Sequence, residues 1–145
     1  MKLRFVLDTN QIVGAGTGWF VNGKPEPDPN LCRRIVIAVA ESHTGLYCGK
    51  IMGEYAEKLI DLKHPPNRIQ MMITYLMGAF SVVPITSKSA PHPPSDADDE
   101  IFVLCAIDGK ADYVVSEDLA LLALKPHYSD FTIECSAEVA AALGI

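Results

Sequence analysis

Acidic residues occur at four well-separated places in the chain: Asp8, Glu54, the group Asp96, Asp98 and Asp99, and Asp118. Carboxylates drawn together from such distant stretches repel one another, and some take up protons unless a cation compensates. Mg²⁺ and Mn²⁺ are the natural compensating ions, because hard divalent cations accept carboxylate oxygens and keep several waters. An ion held this way polarises a phosphodiester, and in two-metal sites it also activates the attacking water. The chemistry in view is therefore metal-assisted hydrolysis of a phosphate ester.

Each acid also has an ordinary reading. Asp8 can cap a turn, although a charge directly after a buried strand is costly to leave idle. Glu54 can pair with Lys58 four residues on. Asp96, Asp98, Asp99 and Glu100 can complement a helix N-terminus, with Ser95 and Asp98 spaced as a capping box; that accounts for one or two of them and leaves the others unexplained. Asp118 can cap the helix after it. The ordinary readings are weaker together than singly.

The elements that must bring these residues together alternate strand with helix. Leu3 to Leu7 is an apolar run without polar alternation, as expected of a buried parallel strand. Gly14 to Pro29 is rich in Gly, Pro and Asn and reads as a long loop. Helical spacing then runs over 29–42, with Gly45 as its stop. A strand at 46–48 leads to a helix at 50–62, broken by Pro65 and Pro66, and a further helix at 69–80. A strand at 81–85 precedes a loop at 87–95 that holds three prolines. A helix at 98–108, a strand at 113–115, a short helix at 119–124, a strand at 131–133 and a last helix at 137–143 complete the order. This pattern predicts an α/β fold: a three-layer αβα arrangement around a central, mostly parallel sheet of about five strands. Ligands of such sheets bind beyond the carboxyl ends of the strands, where Asp8, Glu54 and Asp118 fall. The helix at Asp98 precedes its strand, so the same rule does not place it.

With 145 residues, nearly half of them apolar, the chain reads as one domain, 1–145, with a core of its own. No apolar run is long enough to cross a bilayer and the start lacks a signal-peptide plan, so a cytoplasmic protein with no membrane association is expected. Cys32, Cys48, Cys105 and Cys135 have no ligand spacing and read as buried free thiols. The four histidines, His43, His64, His92 and His127, are isolated. The net charge of −6 disfavours general affinity for a polyanion, so nucleic-acid binding would need a cation or a local basic patch. Arg33, Arg34, Lys50, Lys58, Lys63, Arg68 and Lys110 are available; Lys50 and Lys110 flank the acidic group in sequence and are the substrate-binding candidates. Trp19 and Phe20 in the long loop can stack on a base, but pinning the loop to the domain is the favoured reading. The helix with Met71, Met72 and Met77 is apolar over more than one face, which fits burial between helices or an interface equally well.

Four segments resemble the PIN-domain family, and within it the VapC-like toxin components of toxin–antitoxin pairs: Phe5-Val6-Leu7-Asp8-Thr9-Asn10, Glu54-Tyr55, Asp96-Ala97-Asp98-Asp99-Glu100-Ile101-Phe102, and Ala111-Asp112-Tyr113-Val114-Val115-Ser116-Glu117-Asp118. The resemblance implies Mg²⁺- or Mn²⁺-dependent endonucleolytic cleavage of single-stranded RNA leaving a 5′-phosphate. It puts the family's catalytic acids on Asp8, Glu54, Asp99 and Asp118, with metal on Asp8, Asp99 and Asp118, and support from Asn10, Asp96, Asp98 and Ser116. Asp99 is preferred to Asp98 because Phe102, Val103 and Ala106 continue its helical face as the family's residues do. An antitoxin is a candidate partner of such a toxin, and the apolar helix of Met71, Met72 and Met77 would supply a homodimer or antitoxin interface, with a homo-oligomer expected. Two departures stand out. Glu117 adds an acid where the family often has a small or polar residue, and the loop at 14–29 is long enough to fold over the site.

Two rivals remain. In a phosphoaspartate phosphatase or receiver Asp8 would be the nucleophile, but the second Asp of haloacid-dehalogenase-type enzymes is Asn10 here. A catalytically silent PIN-like domain that binds RNA or a partner usually lacks one of the acids, and this chain has the full set.

Overall fold

The computed structural model describes residues 1–145. Its strands are β1 (Arg4–Leu7), β2 (Thr44–Tyr47), β3 (Ser81–Val82), β4 (Tyr113–Val115) and β5 (Thr132–Glu134). All neighbouring strands pair in parallel, in the order β3-β2-β1-β4-β5. The helices are α1 (Thr9–Ala15), α2 (Trp19–Asn22), α3 (Leu31–Ser42), α4 (Gly49–Asp61), α5 (Pro66–Ala79), α6 (Glu100–Asp108), α7 (Leu119–Leu122) and α8 (Ser136–Leu143). This is the αβα architecture with a five-stranded sheet that the alternation predicts, and the sheet is wholly parallel. No helix is long and apolar enough to cross a membrane.

Burial explains the order. Phe5, Val6 and Leu7 of β1 are all fully buried, because helices cover both faces of a parallel sheet. α4 buries Ile51, Met52, Tyr55 and Leu59 at helical spacing, which turns Lys50, Gly53, Glu54, Glu57, Lys58 and Asp61 outward along its other side. α6 buries six consecutive residues, Ile101 to Ala106, and so has no polar face in its middle. Asn30 caps α3 by accepting from the Arg33 N–H at 2.9 Å. Pro66 opens α5, where its missing N–H costs nothing.

Several boundaries differ from the sequence reading. A helix that the sequence pattern does not assign, α1, starts directly after Asp8, its N-cap, and takes in Gly14 and Ala15 from the expected loop. The loop at 14–29 contains the one-turn helix α2. Gly45 does not stop a helix. α3 ends at Ser42, and Gly45 lies within β2, where a Cβ would stand 2.5 Å from the ring of Phe80. The ladder of β3 ends at Val83, whose N–H donates to the Tyr47 carbonyl, because Pro84 has no N–H to continue it. The Asp98 helix begins as a 3₁₀ turn over Ala97–Asp99.

The long loop is tied down away from the sheet edge. Trp19 is buried, stacks on Phe20 at 4.1 Å and meets the Tyr75 ring of α5 edge-on at 5.8 Å, so it acts as the pin. Thr17 bonds His64 at 2.9 Å, and Arg33 reaches the buried Asp28 at 3.7 Å. Met72 is fully buried while Met71 and Met77 are exposed, so the methionine helix divides between core and surface. All four cysteines are free; Cys48 and Cys105 are buried, whereas Cys32 and Cys135 are only half-buried.

Candidate active site

β1 and β4 are neighbours, with Leu7 beside Val115. The chain leaves the sheet in opposite directions from this pair, towards β2 on one side and β5 on the other, and a crevice opens where the direction reverses. A cleft of about 620 Å³ lies there, and not one hydrophobic residue lines it. Its walls are Asp8, Thr9 and Asn10 from the end of β1, the outward side of α4, Asp98 and Asp99, and Asp118.

Asp8 is fixed from two sides. Its Oδ1 accepts from the Thr9 N–H at 2.7 Å and its Oδ2 accepts from the Ser116 hydroxyl at 2.7 Å. Ser116 in turn accepts from the Asp118 N–H at 2.9 Å, so one buried hydroxyl holds the first and last acids of the site. Asp118 caps α7 through the Ala120 N–H at 2.8 Å and still faces the cleft. The capping readings of Asp8 and Asp118 are therefore true, and they position the acids instead of replacing a chemical role. Below Asp8, the buried Tyr55 hydroxyl donates to the Leu7 carbonyl at 2.5 Å.

Glu54 makes no ion pair with Lys58, and its Oε2 is buried without a hydrogen-bond partner. Ser95 does not form the capping box; Asp96 caps the 3₁₀ turn through the Asp98 N–H at 3.0 Å and does not reach the cleft. Glu100 is occupied by the Ala90 N–H. That leaves Asp98 and Asp99 for the cleft. Asp99 is the more buried of the two and faces Asp118 and Asp8, whereas Asp98 bears on Glu54.

The electrostatics follow from crowding. Burial, then the Asp118 carboxyl and the charges of Asp8, Asp118 and Asp96, push Asp99 up to about 7. Burial raises Asp8, against the lowering effect of its bonds to Ser116 and Thr9. Glu54 is raised by burial and by Asp8 and Asp98, partly offset by the Thr9 hydroxyl and Lys50. No three His, Cys, Asp or Glu side chains are yet gathered tightly enough to hold an ion between them. The donor set nonetheless fits a hard divalent cation. It is all oxygen, it holds an orphaned buried carboxylate oxygen in Glu54, and its like charges lack a buried counter-charge.

Of the remaining sequence candidates, Asn10 and Lys50 line the cleft. Lys110 does not. It sits in the turn before β4, beside Gly109, whose carbonyl accepts from Arg4 at the start of β1, and so lies at the opposite edge of the sheet. Glu117 does not add charge to the cleft either: its carboxylate accepts from the N–H and hydroxyl of Ser136 at the start of α8, which lowers its pKa. None of residues 14–29 lines the cleft, so the long loop does not fold over it. Sequence reading missed Thr9, Glu57 and Asp61 and gave Lys58 no place at the site; the three residues on α4 were detectable, since they complete the polar side opposite Ile51, Tyr55 and Leu59.

A family model described as PIN domain matches residues 4–120, and the chain belongs to the PIN-domain family, a family of nucleases. The chain is also similar to the crystal structure of VapBC2 from Rickettsia felis bound to a DNA fragment from their promoter. The two share 12% identity and a TM-score of 0.57 over 92% of this chain and 98% of that one. At that identity the likeness is one of fold. No curated protein matches the chain.

Proposed function

We propose that this protein is a Mg²⁺- or Mn²⁺-dependent endoribonuclease acting on single-stranded RNA, as the toxin of a toxin–antitoxin pair. The observation that carries the reading is the convergence of Asp8, Glu54, Asp99 and Asp118 on one polar cleft, with the Asp99 carboxyl raised to about 7 by burial and by its acidic neighbours. Such a cluster spends stability that a bound divalent ion returns.

Asp8, Asp99 and Asp118 would hold the ion, which when bound polarises the scissile phosphate and lowers the pKa of water. Ser116 and the Thr9 N–H keep Asp8 in one orientation. Glu54 accepts a proton from the attacking water or orients it, and that water displaces the 3′-oxygen in line, leaving a 5′-phosphate. Lys50 and Lys58, both exposed on the cleft wall, would receive backbone phosphates flanking the cut. The phosphoaspartate reading is disfavoured by Asn10 and by the burial of Asp8, which is only 5% exposed and bonded through both oxygens. An antitoxin belongs to this reading through the family resemblance, and a homodimeric state through the exposed Met71 and Met77 of α5.

The test is cleavage of a mixed single-stranded RNA with Mn²⁺ or Mg²⁺, with EDTA, and with Asp8→Asn. Cutting that needs both ion and Asp8 supports the nuclease. RNA binding without cutting, with Mn²⁺ present, would favour the silent domain.

A further inference from the structure

Thr9 has no role in the reading above beyond its backbone N–H, yet its side chain is unusual. The residue is 7% exposed, it lines the cleft, and its Oγ1 is buried with no hydrogen-bond partner in the protein. Threonine hydroxyls at helix starts commonly find a backbone partner. The Thr9 hydroxyl does not, although it opens α1.

A buried hydroxyl left without a well-formed hydrogen bond is destabilising, and the same applies to the orphaned Glu54 Oε2 beside it. The Thr9 hydroxyl stands close enough to donate weakly to the Glu54 carboxylate and lower its pKa, but no hydrogen bond of good geometry joins them, so each oxygen keeps unused acceptor capacity. Both can accept. Two acceptors that share a cleft and lack donors match one molecule with two donor hydrogens. A water on a divalent cation is such a molecule, since its lone pair is engaged by the ion and both hydrogens are free.

We propose that Thr9 is a positioning residue: its hydroxyl and the Glu54 carboxylate together hold one water of the bound cation's hydration shell. This rests on the metal-dependent reading of the cleft. Thr9 touches neither phosphate nor ion. It acts by fixing that water and, through it, the direction of the Glu54 carboxylate.

The test uses Thr9→Val, which keeps the branched shape and removes only the hydroxyl, and Thr9→Ser, which returns it. Mn²⁺ binding is measured by calorimetry, and thermal unfolding is followed in EDTA. Thr9→Val is expected to bind Mn²⁺ about 10-fold more weakly or worse, with Thr9→Ser near wild type. In EDTA, Thr9→Val is expected to unfold at or above the wild-type temperature, because it removes an unsatisfied buried group. A hydroxyl of merely structural importance would lower that temperature, and that result overturns the proposal. So does wild-type Mn²⁺ affinity in Thr9→Val. If the wild-type protein itself binds no Mn²⁺, the metal reading falls and this proposal falls with it.

Discussion

The Ser116 hydroxyl donates to Asp8 Oδ2 at 2.7 Å, joining residues 108 positions apart in the chain. The same oxygen accepts from the Asp118 N–H, so Ser116 couples the strand end of β1 to the turn after β4. Ser116→Ala removes both bonds at a fully buried site. We expect a loss of about 1–2 kcal/mol in urea unfolding. Metal-dependent cleavage should fall about 10- to 100-fold. Wild-type cleavage by the variant would show that Asp8 needs no such anchor.

Asp8→Asn keeps the acceptor for the Thr9 N–H while discarding a charge that burial disfavours. RNA cleavage in Mn²⁺ should drop by at least about 100-fold, with circular dichroism unchanged. In EDTA at pH 8 the variant should melt no lower than wild type. A clear destabilisation there would mean the charge is already compensated within the protein.

The pH dependence of the metal-free protein has a definite sign. Asp99 is raised from 3.8 to about 7, so the folded state holds its proton more tightly than the unfolded chain does. The stability this contributes is complete below the ordinary aspartate value and is lost as pH rises through about 7. Raised Asp8 and Glu54 act in the same direction. Melting temperature in EDTA should therefore fall from pH 5 to pH 8, and added Mn²⁺ should recover more of it at pH 8. A flat profile in EDTA would contradict the crowding of the acids.

Gly45→Ala should be destabilising by about 1–3 kcal/mol, since the new methyl meets the Phe80 ring. Pairing it with Phe80→Leu should recover part of that loss, a coupling that a double-mutant cycle in urea measures directly. Independent, additive effects would argue against this packing. Glycine there is kept for a close approach between β2 and the end of α5, a role that a helix stop would not require.

This last residue marks where local reading runs out. The alternation of apolar runs and helical spacing, a short-range property, determined the α/β class and the number of strands, while the resemblance to the PIN-domain family, not spacing, singled out Asp8, Glu54, Asp99 and Asp118 among the acids. Helix α1 was hidden because Gly14 and Gly16 mask seven residues whose helicity comes from packing on α3 and α4, not from propensity. Spacing could not say that Asp96 faces its own turn while Asp98 and Asp99 face the cleft, or that Lys110 lies at the far edge of the sheet. Those outcomes depend on which edge each loop occupies. Likewise Glu117, one position from Asp118, turns to α8 and leaves the cleft. The sequence by itself determined which chemical groups the protein owns and the order of the elements that carry them. Only the tertiary structure decided which groups share a dielectric environment, because burial and like-charge proximity are properties of the assembled sheet edge, where β1 and β4 become neighbours.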